Sequence, residues 1–150
     1  MTHVVLDDHL LRDLIADDVS PELGRLLAAH SAATTNLYLV RLSRSLVSAT
    51  GGALTGSWPE AARRSLARHL VMLGDDVEIV PMRSLAFRMA ELAETYRLST
   101  LGAEAVAAAE HLEAPLCVWS GDDGPRIRAA MAGIGADYRL IDVSSSLLGP

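Results

Sequence analysis

Short strand-like runs alternate with amphipathic helical stretches along nearly the whole chain. Apolar or alternating runs predict strands at residues 4–6, 34–37, 77–80, 115–119 and 138–143. Between these runs, leucines recur at helical spacing, as at Leu10 and Leu14 or at Leu66 and Leu70. Strands joined by helical crossovers predict a short, mostly parallel sheet with helices on both faces, which is a three-layer α/β/α sandwich.

The ends of several helices carry recognisable signals. Ser20 followed by Pro21 predicts a helix start, because serine caps the first free backbone amides and proline fits the first helical position. Pro59 opens a second predicted helix, and Ser99 or the threonine after it caps a third. Residues 50–58 contain three glycines and no periodicity, so they are expected to form a loop.

The chain length and composition fit one compact domain. With 150 residues, 50% of them hydrophobic, we expect a single domain over residues 1–143 and a loose tail over residues 144–150. No apolar run reaches the roughly 20 residues of a membrane helix, and no leader pattern precedes the first strand, so a cytoplasmic protein is expected. A lone cysteine, Cys117, excludes an internal disulfide and favours an inert core thiol.

The distribution of charge restricts the nucleic-acid binding that can be expected. A formal net charge of -6 argues against broad, salt-driven affinity for nucleic acid. The stretch from residue 41 to residue 73 is nevertheless locally basic, because it contains one acid, Glu60, and five arginines. These are Arg41, Arg44, Arg63, Arg64 and Arg68. These arginines are candidates for contacts to RNA phosphates or to an acidic partner, and the alternative is a solvated helix face that offsets acids elsewhere.

Two pairs of aspartates follow predicted strands. Asp7 and Asp8 come directly after the first strand, while Asp122 and Asp123 follow the run at 115–119. Because ligand sites of parallel sheets lie off the carboxyl ends of the strands, these four acids form one candidate site. Gathered carboxylates suit Mg²⁺ or Mn²⁺, which can activate water against a phosphodiester. The alternative is that they serve only as helix caps and turn residues.

Two segments, together with the order of the elements, show a family resemblance. The start Val4-Val5-Leu6-Asp7 and the later segment at residues 107–116, Ala-Ala-Ala-Glu-His-Leu-Glu-Ala-Pro-Leu, resemble the PIN-domain family over about residues 3 to 143. The resemblance implies a small α/β domain. Many PIN domains are metal-dependent ribonucleases, and many bacterial members are toxins restrained by an antitoxin.

The resemblance carries four acidic positions onto this chain. Asp7 matches the first, and Asp122 or Asp123 matches the fourth. The second position holds Arg41, and the third, inside a Tyr-Asp-Ala-like triplet, holds Gly102. Two of the four acids that the resemblance implies are therefore missing from this sequence.

The two replaced positions weaken the expectation of catalysis. Glu104 cannot stand in for the third acid, because two residues along a helix turn it about 200° away from Gly102. A cation at Arg41 attracts a carboxylate 4 Å away by about 4 kcal/mol before desolvation, so we expect it to pair with Asp7 or Asp8 in place of a metal. The sequence thus favours a non-catalytic RNA- or protein-binding member; the alternative is a Mg²⁺- or Mn²⁺-dependent ribonuclease, as in a toxin–antitoxin pair.

Other patterns point to structural roles or to weaker alternatives. The start Asp7-Asp8-His9 also resembles a response-regulator receiver domain, but such a domain needs a lysine and this chain has none. The histidines lack metal-ligand spacing and are expected to be structural. Trp58 is expected to pack on the core, and the apolar content favours a homo-oligomer.

Overall fold

Five strands form one sheet in which every neighbouring pair is parallel. The computed structural model describes residues 2–48 and 50–142, so the predicted domain end at residue 143 and the predicted tail at 144–150 lie outside the described residues. The strands are β1 (His3–Leu6), β2 (Ser31–Thr34), β3 (Val77–Ile79), β4 (Leu116–Trp119) and β5 (Tyr138–Ile141). Their spatial order is β3-β2-β1-β4-β5, and the predicted three-layer α/β/α sandwich is confirmed.

Helices connect the strands and cover both faces of the sheet. They are α1 (Asp8–Ile15), α2 (Pro21–Ala29), α3 (Asn36–Val47), α4 (Gly52–Thr55), α5 (Glu60–Val71), α6 (Met82–Tyr96), α7 (Thr100–Leu112) and α8 (Pro125–Gly133). The predicted caps are confirmed, because Ser20 accepts a hydrogen bond from Leu23 N and Ser99 accepts one from Gly102 N. Among the described residues, none of the helices combines the length and the apolarity needed to cross a bilayer.

Alternate residues of β1 enter two separate hydrophobic clusters. Val5 packs with residues of α6, α7 and α8 on one face of the sheet. Val4 and Leu6 face the other side, where they meet Leu10 of α1 and Leu23 of α2. This alternation follows from the two-residue period of a strand, and it makes β1 the buried centre of both layers.

A third cluster lies beside the sheet and joins α1 to α3, α4 and α5. Its buried members are Leu11, Leu42, Leu54, Leu66 and Leu70. Trp58 is partly buried against this cluster, and the Arg12 guanidinium lies over its ring at 5.7 Å from the centroid. The expected core packing of Trp58 is therefore confirmed, with a cation–π contact added.

The predicted position of the second strand, at residues 34–37, was wrong by three residues. The strand occupies Ser31–Thr34, and Asn36 and Leu37 already belong to α3. The boundary lies at Thr35, whose hydroxyl accepts a hydrogen bond from Tyr38 N and so caps the helix. Alanines have low strand propensity, but Ala32 and Ala33 are buried between β1 and β3, where their small side chains fit.

The predicted loop at 50–58 contains the short helix α4. Gly51 precedes it with a φ of 74°, a left-handed conformation that favours glycine. The Ser45 hydroxyl donates to Gly51 O and lies 2.7 Å from the Thr55 hydroxyl, so α3 holds the segment in place. Polar contacts to α3 therefore order a segment whose own sequence lacks helical periodicity.

The strand order brings the ends of β1 and β4 together. The chain runs outward from β1 to β2 and β3, and it then returns to the other side of β1 to form β4 and β5. At this reversal Asp7 N donates to Cys117 O at 3.1 Å. The carboxyl edge at such a reversal is the usual ligand-binding crevice of an open α/β sheet.

Candidate functional site

Asp7 ties the start of α1 to the end of β4. Its Oδ1 accepts a hydrogen bond from Leu10 N at 2.9 Å, and its Oδ2 accepts one from Trp119 N at 3.0 Å. Burial raises the pKa of Asp7 to about 7, and the neighbouring Asp8 charge adds to the rise, while the two amide donors oppose it. Asp7 is thus a structural cap as well as a candidate ligand.

Asp8 lies beneath an arginine of α3. The Asp8 side chain is fully buried, and its Oδ1 accepts a hydrogen bond from His9 N at 3.0 Å. Its Oδ2 lies 3.2 Å from Nε of Arg41, whose side chain is 45% exposed. Of the two pairings expected from the sequence, the one between Arg41 and Asp8 is therefore formed.

His9 faces the carboxylates with its ring held against an indole. The His9 and Trp119 ring centroids are 4.2 Å apart with an interplanar angle of 32°. His9 Nδ1 lies 3.3 Å from Oδ1 of Asp8 and 3.9 Å from Oδ2 of Asp122. Asp122 belongs to a single 3₁₀ turn, Ser120–Asp122, that follows β4 directly.

Three of the four predicted acids meet at one site, and His9 joins them. Ligand atoms of Asp7, Asp8, His9 and Asp122 all lie within 4.8 Å of one another. Sequence reasoning missed His9 because its spacing resembles no metal motif, although it directly follows the Asp-Asp pair. The four donors come from the β1–α1 junction and from the turn after β4.

Asp123 lies apart from this group, in a contact with α8 and β5. The Tyr138 hydroxyl donates to Oδ1 of Asp123 at 2.9 Å, and the Arg128 guanidinium donates to Oδ2. Arg128 holds the pKa of Asp123 below its usual range. These contacts give Asp123 a structural role outside the candidate site.

Two buried groups close to the site stay protonated. Burial raises the pKa of Tyr38 well above its usual value, and the charges of Asp7, Asp8 and Asp122 add to that rise. Burial also raises the pKa of Cys117 to about 12, which agrees with the inert thiol expected from the sequence. Tyr38, which sequence reasoning did not single out, forms a neutral wall beside the acids.

The position that the PIN resemblance assigns to the third acid is filled by packing. A Cβ placed on Gly102 would lie 3.2 Å from Cγ1 and 3.3 Å from Cδ1 of Ile127. Such contacts are tighter than ordinary packing, so Ile127 of α8 would have to move before any side chain fitted there. The space that a side chain at position 102 would need is therefore occupied by Ile127.

Glu104, the acid two residues after Gly102 on α7, caps the start of α3. It is fully buried, and its carboxylate accepts hydrogen bonds from Leu37 N and from both nitrogens of Asn36 at 2.8–3.1 Å. An anion at the start of α3 satisfies free amides and interacts favourably with the helix dipole. Its role as a cap was not anticipated from the sequence.

The four-acid set implied by the resemblance does not fit this chain. The second position holds Arg41 and the third holds Gly102, so two carboxylates are replaced by a cation and by packed glycine. The remaining donors are three carboxylates and one imidazole. Mg²⁺ prefers six oxygen ligands, whereas imidazole nitrogen suits later transition metals, so these donors differ from the implied set in kind as well as in number.

The predicted basic residues border two adjoining cavities beside α3. One cavity, of about 290 Å³, is lined by Arg41, Arg44 and Ser48, and the other, of about 360 Å³, by Ser48, Arg63 and Arg64. The Ser48 carbonyl, which accepts a hydrogen bond from Arg63 Nη1 at 2.8 Å, lies where the two meet. We call these four arginines the basic strip; it begins at the acidic site through Arg41.

The last predicted basic residue, Arg68, lies one turn beyond Arg64 on α5 and is exposed. Arg64 itself pairs with Glu60 at 2.8 Å, in an exposed contact that contributes little stability. Both guanidinium groups therefore remain accessible to a partner.

Comparisons with known proteins support the fold and give no further information about this chain. No protein-family model and no curated protein matches the sequence. Among solved structures, the chain is similar to PAE2754 from Pyrobaculum aerophilum, with a TM-score of 0.54 and 17% sequence identity over 98% of this chain and 95% of that one. At that identity the likeness shows a shared α/β fold alone.

Proposed function

We propose that the chain is a non-catalytic, PIN-like, RNA-binding domain of the cytoplasm. The observation that carries the proposal is the ion pair between Arg41 and Asp8, which places a cation where the resemblance expects a metal-binding acid. The same guanidinium is nearly half exposed and begins the basic strip. A site altered in this way is suited to holding phosphates beside the acids and poorly suited to hydrolysing them.

The chemistry of the basic strip supports RNA as the partner. Arginine forms bidentate, charge-assisted hydrogen bonds to phosphate, and the basic strip places two arginines at each of two adjoining cavities. Because the whole chain carries a net charge of -6, this attraction is confined to the basic strip. The proposal therefore predicts modest, salt-dependent affinity.

Fluorescence anisotropy with a labelled single-stranded RNA of mixed sequence tests RNA binding. We expect the double variant Arg44→Gln/Arg64→Gln to bind at least about tenfold more weakly and to reduce the salt slope by about 1.4, which corresponds to two lost phosphate contacts. The matched control Arg25→Gln/Arg83→Gln removes two exposed arginines outside the strip and should change little. Absent binding at low salt, or an equal loss in the control, would contradict the proposal.

A second candidate function is a metal-dependent ribonuclease, restrained by an antitoxin-like protein if it is a toxin. The observation that favours it is the group of four ligand atoms within 4.8 Å. Asp7, Asp8 and Asp122 would hold Mg²⁺ or Mn²⁺, and the ion would supply an activated water. RNA cleavage that requires Mn²⁺ and disappears in Asp122→Asn would support this function, and an inert preparation with intact RNA binding would support the first.

We also propose that the chain self-associates through the end of α5. Val71 and Met72 are 86% and 80% exposed, and Met72 borders a cavity of about 520 Å³ with mixed polar and apolar lining. Exposed apolar side chains next to a cavity are a common feature of protein interfaces. Light scattering should give a mass above 16.0 kDa that falls to the monomer in Met72→Gln. A monomeric parent protein would overturn this proposal.

A further inference from the structure

We propose that Asp8, His9 and Asp122 form a binding site for Zn²⁺. The ligand set differs from the one that the resemblance implies, because it includes an imidazole and leaves out Asp123. The metal differs as well, since Zn²⁺ replaces Mg²⁺ or Mn²⁺. This site requires neither RNA binding nor catalysis.

The separations between the donor atoms match those around a small tetrahedral ion. Two ligands that each lie about 2.1 Å from a tetrahedral Zn²⁺ are about 3.4 Å from each other. His9 Nδ1 lies 3.3 Å from Asp8 Oδ1 and 3.9 Å from Asp122 Oδ2. Ligand atoms of all three residues lie within 4.8 Å of one another, and the two separations from His9 Nδ1 lie close to the tetrahedral value. With three protein ligands, the fourth position of the ion is left for water.

The His9 ring nitrogen provides an independent sign of a missing ligand. His9 is only 5% exposed, and its Nδ1 has no hydrogen-bond partner among the residues that the structure describes. The contact with Asp8 Oδ1 has the distance of a long hydrogen bond but not its geometry. Buried polar atoms are nearly always satisfied, and an orphaned one calls for an ion or a water.

Neighbouring groups already hold the proposed ligands in place. Trp119 stacks on the His9 ring and limits its rotation. Arg41 contacts Asp8 through Oδ2, which leaves Oδ1 directed toward His9. In metal sites such outer contacts orient the ligands, so Arg41 acts as a supporting cation for the carboxylate.

The charge balance of the site also favours a divalent cation. The carboxylates of Asp8 and Asp122 lie close to His9, and within the described residues Arg41 is the one arginine that pairs with either of them. Asp7 uses both oxygens to accept hydrogen bonds from backbone amides, so it is left out of the proposed ligand set. Imidazole with carboxylates is a common zinc donor set, whereas Mg²⁺ prefers oxygen alone.

Calorimetric titration of the chelator-treated full chain, without RNA, tests this site. We expect one Zn²⁺ per chain, bound at least about 100-fold more tightly than Mg²⁺. Co²⁺, used as a spectroscopic probe, should give the strong visible absorption of a four-coordinate ion. In His9→Gln and in Asp122→Asn the affinity for Zn²⁺ should fall at least about tenfold, and the cobalt band should be lost.

Two matched controls separate this site from adventitious zinc binding. His111→Gln and Asp137→Asn change exposed residues of the same types and should leave the affinity unchanged. Asp122 has a side chain that is 44% exposed, so Asp122→Asn decides the question even if His9→Gln does not fold. No zinc uptake at micromolar concentration, or an uptake that both site variants retain, would overturn the proposal whatever the outcome of the RNA experiment.

Discussion

Asp13 is a fully buried carboxylate of α1, and the neighbouring Arg12 contacts one side of it. Arg12 Nε and Nη2 both lie 3.0 Å from Oδ1, while Oδ2 has no hydrogen-bond partner within the described part of the chain. Burial raises the pKa of Asp13 from 3.8 to about 6, and Arg12 only partly offsets that rise. Desolvation therefore outweighs the ion pair at this residue.

This shift makes the stability of the protein depend on pH at Asp13. Because the pKa is higher in the folded state, folding takes up a proton between about pH 4 and pH 6, and the free energy of unfolding falls as the pH rises. Across that window the wild type should lose about 3 kcal/mol relative to Asp13→Asn, whose side chain does not titrate. The lost ion pair with Arg12 shifts the comparison by an amount that is independent of pH.

Urea unfolding of both proteins from about pH 3 to pH 8, with a chelator present, measures this difference. Asp137→Asn, at an exposed position, is the control and should follow the wild type. A constant difference between wild type and Asp13→Asn over the whole range would show that Asp13 titrates normally.

At the scale of the elements, α7 shapes its neighbours through two residues two positions apart. Glu104 reaches the first amides of α3, and Gly102 lets Ile127 of α8 approach closely. Both α3 and α8 contact α7, and these two residues contribute to those contacts. The Glu104 carboxylate is committed to the first turn of α3, so it is not available to the candidate site.

Glu104→Gln should lower the free energy of unfolding by about 2–4 kcal/mol. Glutamine keeps one acceptor oxygen but places an amide donor against the Asn36 or Leu37 backbone donors, and buried charge-assisted hydrogen bonds are lost. Chemical denaturation measures the change. Glu110→Gln, which loses a half-exposed pair with Arg88, is the control and should cost less than about 1 kcal/mol.

An acid introduced at position 102 is expected to strain the contact between α7 and α8. Gly102→Asp should cost about 1–3 kcal/mol, because its Cβ would press on Ile127. In a double-mutant cycle, Ile127→Ala should recover part of that cost, which gives a coupling of about 1 kcal/mol or more. Strictly additive effects in denaturation experiments would mean that the two side chains do not compete for one space.

Over the whole molecule, β1 couples the two faces of the sheet and the candidate site. Its residues enter both large clusters, and its end carries Asp7. The reversal of strand order places the end of β4 beside it. Any loss of packing at β1 is therefore expected to affect the fold as a unit.

Leu6→Ala should reduce the free energy of unfolding by about 2–5 kcal/mol, as is typical for a fully buried leucine. Tryptophan fluorescence, from Trp58 beside the third cluster and Trp119 at the site, should report the same midpoint as far-UV circular dichroism. Val47→Ala, at an 84% exposed position, is the control. Separate transitions for the two probes would contradict a single cooperative unit.

The α/β architecture was predictable from the sequence because local periodicity carries it. Strand and helix patterns placed most elements, and Ser20 and Ser99 marked helix starts through the short-range chemistry of capping. The second strand was misplaced because alanines at 32 and 33 carry little strand signal of their own. Burial between two neighbouring strands, which is a long-range effect, makes them a strand.

The sequence by itself determined that acids would follow β1 and β4, and that Arg41 and Gly102 would interrupt the set implied by the resemblance. Only the tertiary structure decided which groups meet, because each contact joins residues far apart in the chain. It paired Arg41 with Asp8, brought Asp122 to His9 and directed Asp123 to Arg128. Spacing along a chain sets the face of an element, but the packing of elements sets the distances between side chains.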